Sequence, residues 1–341
     1  MSHSFRDDYS EGAHPRIIAA LADTNGAQQS AYGNDTYSDE ARALIRAAIG
    51  GGDALIRLVA SGTQANILCI ASALRPHEAV IAPTSGHVAV HETGAIEATG
   101  HKIITVPPES GKLTPDSIDA ALAANAHFPH MAKPRLVYVT QATETGTIYS
   151  KAELEAIASL CRSRHLLLLL DGARLGAALA ADGNDLGLAD IAELADLFWI
   201  GGTKNGALLG EAIVIPNPGL HEDFECHIKQ RGALLAKGRL LGLQFRTLFE
   251  DGLYLQLARH ANAMAARLSR GLQEMGIALD AETETNQLFP ILPDALIALL
   301  QEHFAFYVWA PHENDHSVAR LVTSWATREE HVDAFLDAVV A

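Results

Sequence analysis

The chain has 341 residues, 48% of them hydrophobic and 19% charged, which excludes a disordered or fibrous polymer and leaves room for two or three domains with a substantial core. Twenty-five basic against 41 acidic residues give a formal net charge of −16, so neither a nucleic acid nor an anionic membrane surface is an expected partner. The opening MSHSFRDDYSEGAHP has no apolar signal core, no run nears the ~20 apolar residues of a membrane span, and Cys69, Cys161 and Cys226 form no C-x-x-C pair; a cytoplasmic protein in a reducing compartment is expected.

Ser38 precedes DEARALIRAAIG, whose acidic first turn and closing glycine predict a capped helix. A second helix follows SGT as QANILCIASALR and stops at Pro76. EAVIA (78–82), KIITV (102–106), RLVYVT (135–140), HLLLLLD (165–171), LFWIG (197–201) and EAIVI (211–215) are short, branched and apolar and predict strands. TPDSIDAALAA and SKAELEAIASLCRSR have polar starts and helical spacing between them. This alternation predicts an α/β fold with a mainly parallel sheet and helices on both faces. After Pro216 the pattern turns to long helical stretches, 220–250 and 253–275. QLFPIL, FYVWA and ARLVTS then predict strands beside the helices PDALIALLQEH and TREEHVDAFLDAVV, a smaller α+β domain. The expected division is a large domain over 16–250 and a small one from 1–15 and 251–341, with a ligand cleft between them.

Three segments have residues placed for chemistry. Ser61-Gly62-Thr63-Gln64-Ala65-Asn66 opens a helix; the tight glycine turn, free N–H groups and Thr63 hydroxyl suit a phosphate, although an ordinary N-cap has the same appearance. Asp171-Gly172-Ala173-Arg174 follows the most apolar strand, and a carboxylate there must find a partner, either a protonated heterocyclic nitrogen or Arg174 itself. Gly201-Gly202-Thr203-Lys204-Asn205-Gly206 sets a lysine between glycines behind LFWI, where partial desolvation would favour the neutral, nucleophilic amine, although taken by itself the segment reads first as a surface-loop lysine between two turns. No G-x-x-x-x-G-K-[ST] or G-x-G-x-x-G spacing is present, and no spacing indicates a metal site.

In this order the three segments resemble the cofactor groups of fold type I pyridoxal-phosphate enzymes, the aspartate aminotransferase-like transferase fold. DDYSEGAHP, AYGND, SGTQAN, GHVAVHETGA, GKLTP, TQATETG, DGAR, GGTKNG with GEA, and ARLVTSW run collinearly over nearly the whole chain. They are similar to the threonine aldolase family of β-eliminating lyases, and most to the low-specificity L-threonine and phenylserine aldolases of bacteria. The resemblance implies that Lys204 carries pyridoxal 5'-phosphate, Asp171 bonds the pyridinium nitrogen and Gly62 and Thr63 hold the phosphate. It implies that His87 stacks on the ring, that Arg174 and Arg320 bind the substrate carboxylate, and that Arg239 reaches a neighbouring subunit's phosphate. His87 and His127 are the implied candidates for the group acting at the substrate hydroxyl, His127 ahead of the nearby His130; His91 is expected near the leaving aldehyde and Tyr32 near the site. Arg6 stands where relatives carry a serine that helps bind the carboxylate, so substrate preference is the point of departure from the family pattern. The implied activity is cleavage of L-threonine, L-allo-threonine or an aryl β-hydroxy-α-amino acid to glycine and an aldehyde, in a homodimer with shared active sites that pairs into a homotetramer. Another pyridoxal-phosphate lyase or an aminotransferase on this fold, and a non-catalytic binding protein, are the competing expectations.

Overall fold

The computed structural model describes residues 3–340. Its central sheet has seven strands in the order Leu55–Val59, Glu211–Ile215, Leu197–Gly201, Leu167–Asp171, Lys133–Thr140, Glu78–Pro83 and Lys102–Val106. Glu211–Ile215 is antiparallel to both its neighbours, and the other pairings are parallel. The expected mainly parallel α/β architecture is therefore the one observed.

The leucine run shows why. In a strand, successive side chains point to opposite faces. Leu168 and Leu170 enter one core cluster with Ile45, Leu154 and Phe198, while Leu167 and Leu169 enter the other with Leu68, Tyr138 and Trp199. Helices cover both faces, so a continuous apolar run is required where a half-exposed strand would alternate.

Local details differ from the sequence expectations. The helix expected after Ser38 is Thr36–Ala48, capped by Asp35, whose carboxylate accepts a hydrogen bond from Ser38 N at 2.8 Å. Aspartate is a strong N-cap and places Ser38 inside the first turn. The helix expected at Gln64 begins at Gly62, with Ser61 as its N-cap, and ends at Ala73. The strand expected at His165 starts at Leu167, since His165 itself adopts φ +56°. The stretch expected as one helix over 220–250 is broken into Phe224–Gln230 and Arg239–Phe249, because Gly232 turns the chain with φ +67°. Leu55–Val59 forms the edge strand beside Glu211–Ile215.

The long helix Leu253–Glu274 leads to a second sheet, in which His316–Val322 is flanked by Ile291–Pro293 and Tyr307–His312 and also pairs with Gln287–Leu288, all antiparallel. Phe5 packs with Phe304, Leu321 and Phe335 in the core beneath this sheet. Beyond Phe5 the chain carries Asp7, Asp8 and Tyr9 back to the segment that follows the central strand Leu167–Asp171, where Asp8 meets Arg174. Among the described residues no helix is long and apolar enough to cross a membrane.

Candidate active site

The parallel strands end on one side of the sheet, and the segments just beyond those endings line a cavity of about 340 Å³ with Ser61–Thr63, His87, Asp171 and Lys204. This is where open α/β sheets place ligands. Antiparallel Glu211–Ile215 begins where its neighbours finish, so Glu211 reaches the same rim. Lys204, His87, Tyr9 and Glu144 also border a second cavity of about 410 Å³, which Arg174, Arg320, Tyr307, Val308 and Trp309 line as well.

Asp171 is buried and accepts hydrogen bonds from Tyr138 Oη at 2.6 Å, Asn66 Nδ2 at 3.0 Å and Ala173 N at 3.0 Å. Burial pushes its carboxyl up from the ordinary range, and these bonds hold it only partly back. The nearby arginine of the same segment does not neutralise it. Arg174 is instead bound by Asp8, Nε to Oδ2 at 2.7 Å and Nη2 to Oδ1 at 3.1 Å. Asp171 therefore awaits a cation, and the protonated ring nitrogen of pyridoxal phosphate meets that requirement.

The lysine sits in a single 3-10 turn, Thr203–Asn205. Burial lowers the Lys204 ammonium below its ordinary range and Arg174 lowers it further, against the opposing pull of Asp8, Glu144 and Asp171. Its ammonium lies 5.9 Å from the centre of the Tyr9 ring. Glu211 fastens this turn, accepting Gly202 N at 2.9 Å and the Thr203 hydroxyl at 2.8 Å. Desolvation pushes the Glu211 carboxyl up to about 8, so it is largely protonated at neutral pH.

At the cavity wall, the helix Gly62–Ala73 presents its N-terminus, and its unbonded N–H groups suit a phosphate. Gly62 is required by packing as well: a Cβ there would meet Cη2 of Trp199 at 2.8 Å. Ser61 caps the helix, and Gly62 and Thr63 border the cavity.

In the second cavity, Arg320 donates from Nε and Nη2 to Gln287 Oε1 at 3.1 and 2.6 Å and lies 5.4 Å from the Trp309 ring centre. Burial lowers its guanidinium, and the neighbouring charge of Arg174 adds to the effect. Asp8 is ion-paired with Arg174 only, so the guanidinium of Arg320, bonded to the neutral Gln287, is suited to a carboxylate ligand. Burial alone would raise Asp8, but Arg174 and Lys204 hold it at about 2.

His87 and His91 both border this cavity, with ring centres 5.5 Å apart. Arg6 is exposed, stacked 5.2 Å from the ring centre of Tyr307 at the rim. Arg6 and three further expected residues lie outside the lining of both cavities. Tyr32 stands 46% exposed beside Lys229, Arg239 donates to the backbone oxygens of Thr24 and Ala27, and His127 is exposed on a loop with His130. Asn66, Glu92, Tyr138, Glu144, Trp199, Glu211 and Trp309 belong to the site without having been singled out in the sequence. Four of them stand in motifs that carry the resemblance, GHVAVHETGA, SGTQAN, TQATETG and GEA, so the signal was present, but nothing local distinguishes them from ordinary polar residues.

The sequence matches the family described as beta-eliminating lyase over residues 7–295. It is 36% identical to a low specificity L-threonine aldolase of a Pseudomonas species, with 97% of this chain and 95% of that protein covered. A second low specificity L-threonine aldolase, from Pseudomonas aeruginosa, is 35% identical over 97% of this chain and 95% of its own length. Among solved structures, Leishmania major threonine aldolase superposes with a TM-score of 0.97 at 46% identity, covering 99% of this chain and 98% of that one. An aspartate aminotransferase of Thermus thermophilus, at 17% identity and a TM-score of 0.74 over 99% of this chain and 90% of its own, shares the fold alone.

Proposed function

The chain belongs to the beta-eliminating lyase family and is a pyridoxal-phosphate-dependent carbon–carbon lyase; on that footing we propose that it cleaves L-threonine, L-allo-threonine and aryl β-hydroxy-α-amino acids such as phenylserine to glycine and an aldehyde. The observation that carries the reading is the meeting at Lys204 of a cavity bordered by Asp171 and one bordered by Arg174 and Arg320. Bound pyridoxal phosphate supplies an electron sink for the pair released when the Cα–Cβ bond opens.

The residues divide the remaining work. Lys204 holds the cofactor, Asp171 keeps the ring nitrogen protonated, and Gly62 and Thr63 receive the phosphate at the helix start. Arg174 and Arg320 hold the substrate carboxylate, which fixes Cα over the inner cavity and turns the β-substituent toward His87 and the outer wall. His87 accepts the proton of the β-hydroxyl, and His91 borders the path of the departing aldehyde. Tyr307, Val308 and Trp309 give that wall an apolar, aromatic surface, which supports tolerance of aryl groups. Arg239 and Tyr32 lie outside the cavities of their own chain, as residues lent to a partner's site would; His127 belongs to the same question. A dimer with shared sites, itself paired into a tetramer, is part of this reading.

Release of glycine and aldehyde from both threonine diastereomers and from phenylserine, each as both enantiomers, is the test. Glycine from the L-forms is expected; pyruvate from serine in its place would make the chemistry β-elimination and end the aldolase reading.

A further inference from the structure

Glu92 comes just after the short helix His87–Val90, and its side chain is wholly enclosed. Oε1 lies 2.8 Å from His87 Nδ1 and accepts a hydrogen bond from Asn66 Nδ2 at 2.8 Å, while Oε2 is buried without a partner among the described residues. A carboxylate taken out of water needs a charged or donating neighbour, and among the described residues the only cation within bonding distance is a protonated His87. Asn66 cannot turn over to release it. Its amide nitrogen also donates to Asp171 Oδ2, and its oxygen accepts from Trp199 Nε1 at 3.0 Å. The two buried carboxylates, Glu92 beside His87 and Asp171 on the cavity floor, are thus held by one amide.

We propose that Glu92 is a positioning residue for the reaction: it fixes His87 as the Nδ1–H tautomer, leaves Nε2 for the substrate hydroxyl, and stabilises the imidazolium formed there. The inference rests on the reading of His87 as proton acceptor. In that step the hydroxyl O–H bond breaks and an N–H bond forms at Nε2; the electron pair stays on oxygen and becomes part of the aldehyde carbonyl as the Cα–Cβ bond opens. The positive charge appears on a ring whose other nitrogen already faces a carboxylate, the arrangement by which a histidine is made a stronger base without being consumed. The groups facing His87 are Glu92 and His91 on its own segment, Glu144 after Lys133–Thr140, Asp171 and Arg174 at the next strand end, and Lys204. Glu92's hydrogen bond is the main influence raising the His87 pKa, burial opposes it, and Glu144 and Asp171 add smaller support.

Glu92→Gln keeps the size and removes the charge. In the holoenzyme, nitrogen-15 histidine NMR, assigned with His87→Gln, should show the His87 titration falling by about one pH unit or more. The acid limb of kcat/KM for L-threonine should move down with it, kcat should fall, and cofactor affinity and melting temperature should stay near native. In the His87→Gln background, Glu92→Gln should add little further loss of kcat. An unmoved His87 titration, or an undiminished loss of kcat in that background, overturns the proposal. If Glu92→Gln does not fold, Glu92→Asp takes its place: retained charge with altered reach should keep the raised titration while kcat falls, and a titration at the ordinary histidine value would overturn it. A His87 titration that responds to Glu92→Gln in an enzyme releasing no glycine would uphold the pairing and overturn the aldolase reading instead.

Discussion

The two cavities that meet at Lys204 are incomplete in opposite senses. Around the inner one, Asp171, Glu92 and Glu211 are buried carboxyl groups bound by amides, hydroxyls and backbone N–H groups, with no guanidinium or ammonium in hydrogen-bond contact among the described residues. Around the outer one, Arg174 and Arg320 share the lining with Asp7 and Glu144, and among the described residues Asp8 is the only carboxylate ion-paired with either guanidinium. Glu211 is largely protonated and Glu92 faces His87, so Asp171 is the buried carboxylate left without a cation in contact among the described residues; such a charge costs stability unless a ligand compensates it. The difference gives the site its polarity. On the proposed function, a cationic ring nitrogen would complete the inner side and an anionic substrate carboxylate the outer side.

Removing the shared lysine should have the largest effect. Lys204→Ala is expected to lose roughly a thousandfold or more in kcat, and the cofactor's visible absorbance should become removable by dialysis. Asp171→Asn attacks the inner side, and a loss of about 10²–10³ in kcat is expected from removing one preorganised charge. That loss should fall on kcat, whichever substrate is used. Arg320→Lys attacks the outer side; a lysine cannot reproduce the fork, and kcat/KM should drop about 10–100-fold, chiefly through KM. Equal effects of these two changes on KM would break the comparison. Trp309→Ala should sharpen it: discrimination between phenylserine and L-threonine should shift about tenfold against the aryl substrate, read from competing kcat/KM values.

The smallest expected effect concerns the N-terminal arm that carries Asp7, Asp8 and Tyr9 to the outer cavity. Its anchor includes His3, stacked on His331 with ring centres 3.7 Å apart. Burial, then the charges of His331 and Arg328, lower the His3 pKa from 6.5 to about 4. The fold therefore prefers neutral His3, and its contribution is complete above pH 6.5 and lost progressively as the pH falls toward 4. Melting temperature against pH should decline across that window, and His3→Asn should flatten the decline.

How much of this was legible is best judged residue by residue. Asp171 and Lys204 stood out because both end apolar strands within glycine-rich turns, and a parallel sheet brings such endings to one side. The partner of Asp171 did not stand out. Arg174 is close by in the same segment and was as good a candidate as a ring nitrogen until the fold brought Asp8, from the other end of the chain, onto that guanidinium. Asp35 and Ser38 compete for one helix start, and the local sequence permits both. Gly232, which breaks the expected long helix, was visible as a residue but not as a φ of +67°.

By itself the sequence determined the alternation of strand and helix, the two-faced burial of the leucine strand, and the glycine-flanked lysine, because each depends on periodicity or on residues within one turn of each other. Only the tertiary structure decided which buried charges are paired. Asp8 and Arg174 meet across 166 positions, Asn66 and Asp171 across 105, and Trp199 and Asn66 across 133. Electrostatic partnership acts over a few ångströms of space and carries no record in local periodicity. The chemistry was therefore readable as an inventory of groups, while their distribution between the two cavities had to wait for the fold.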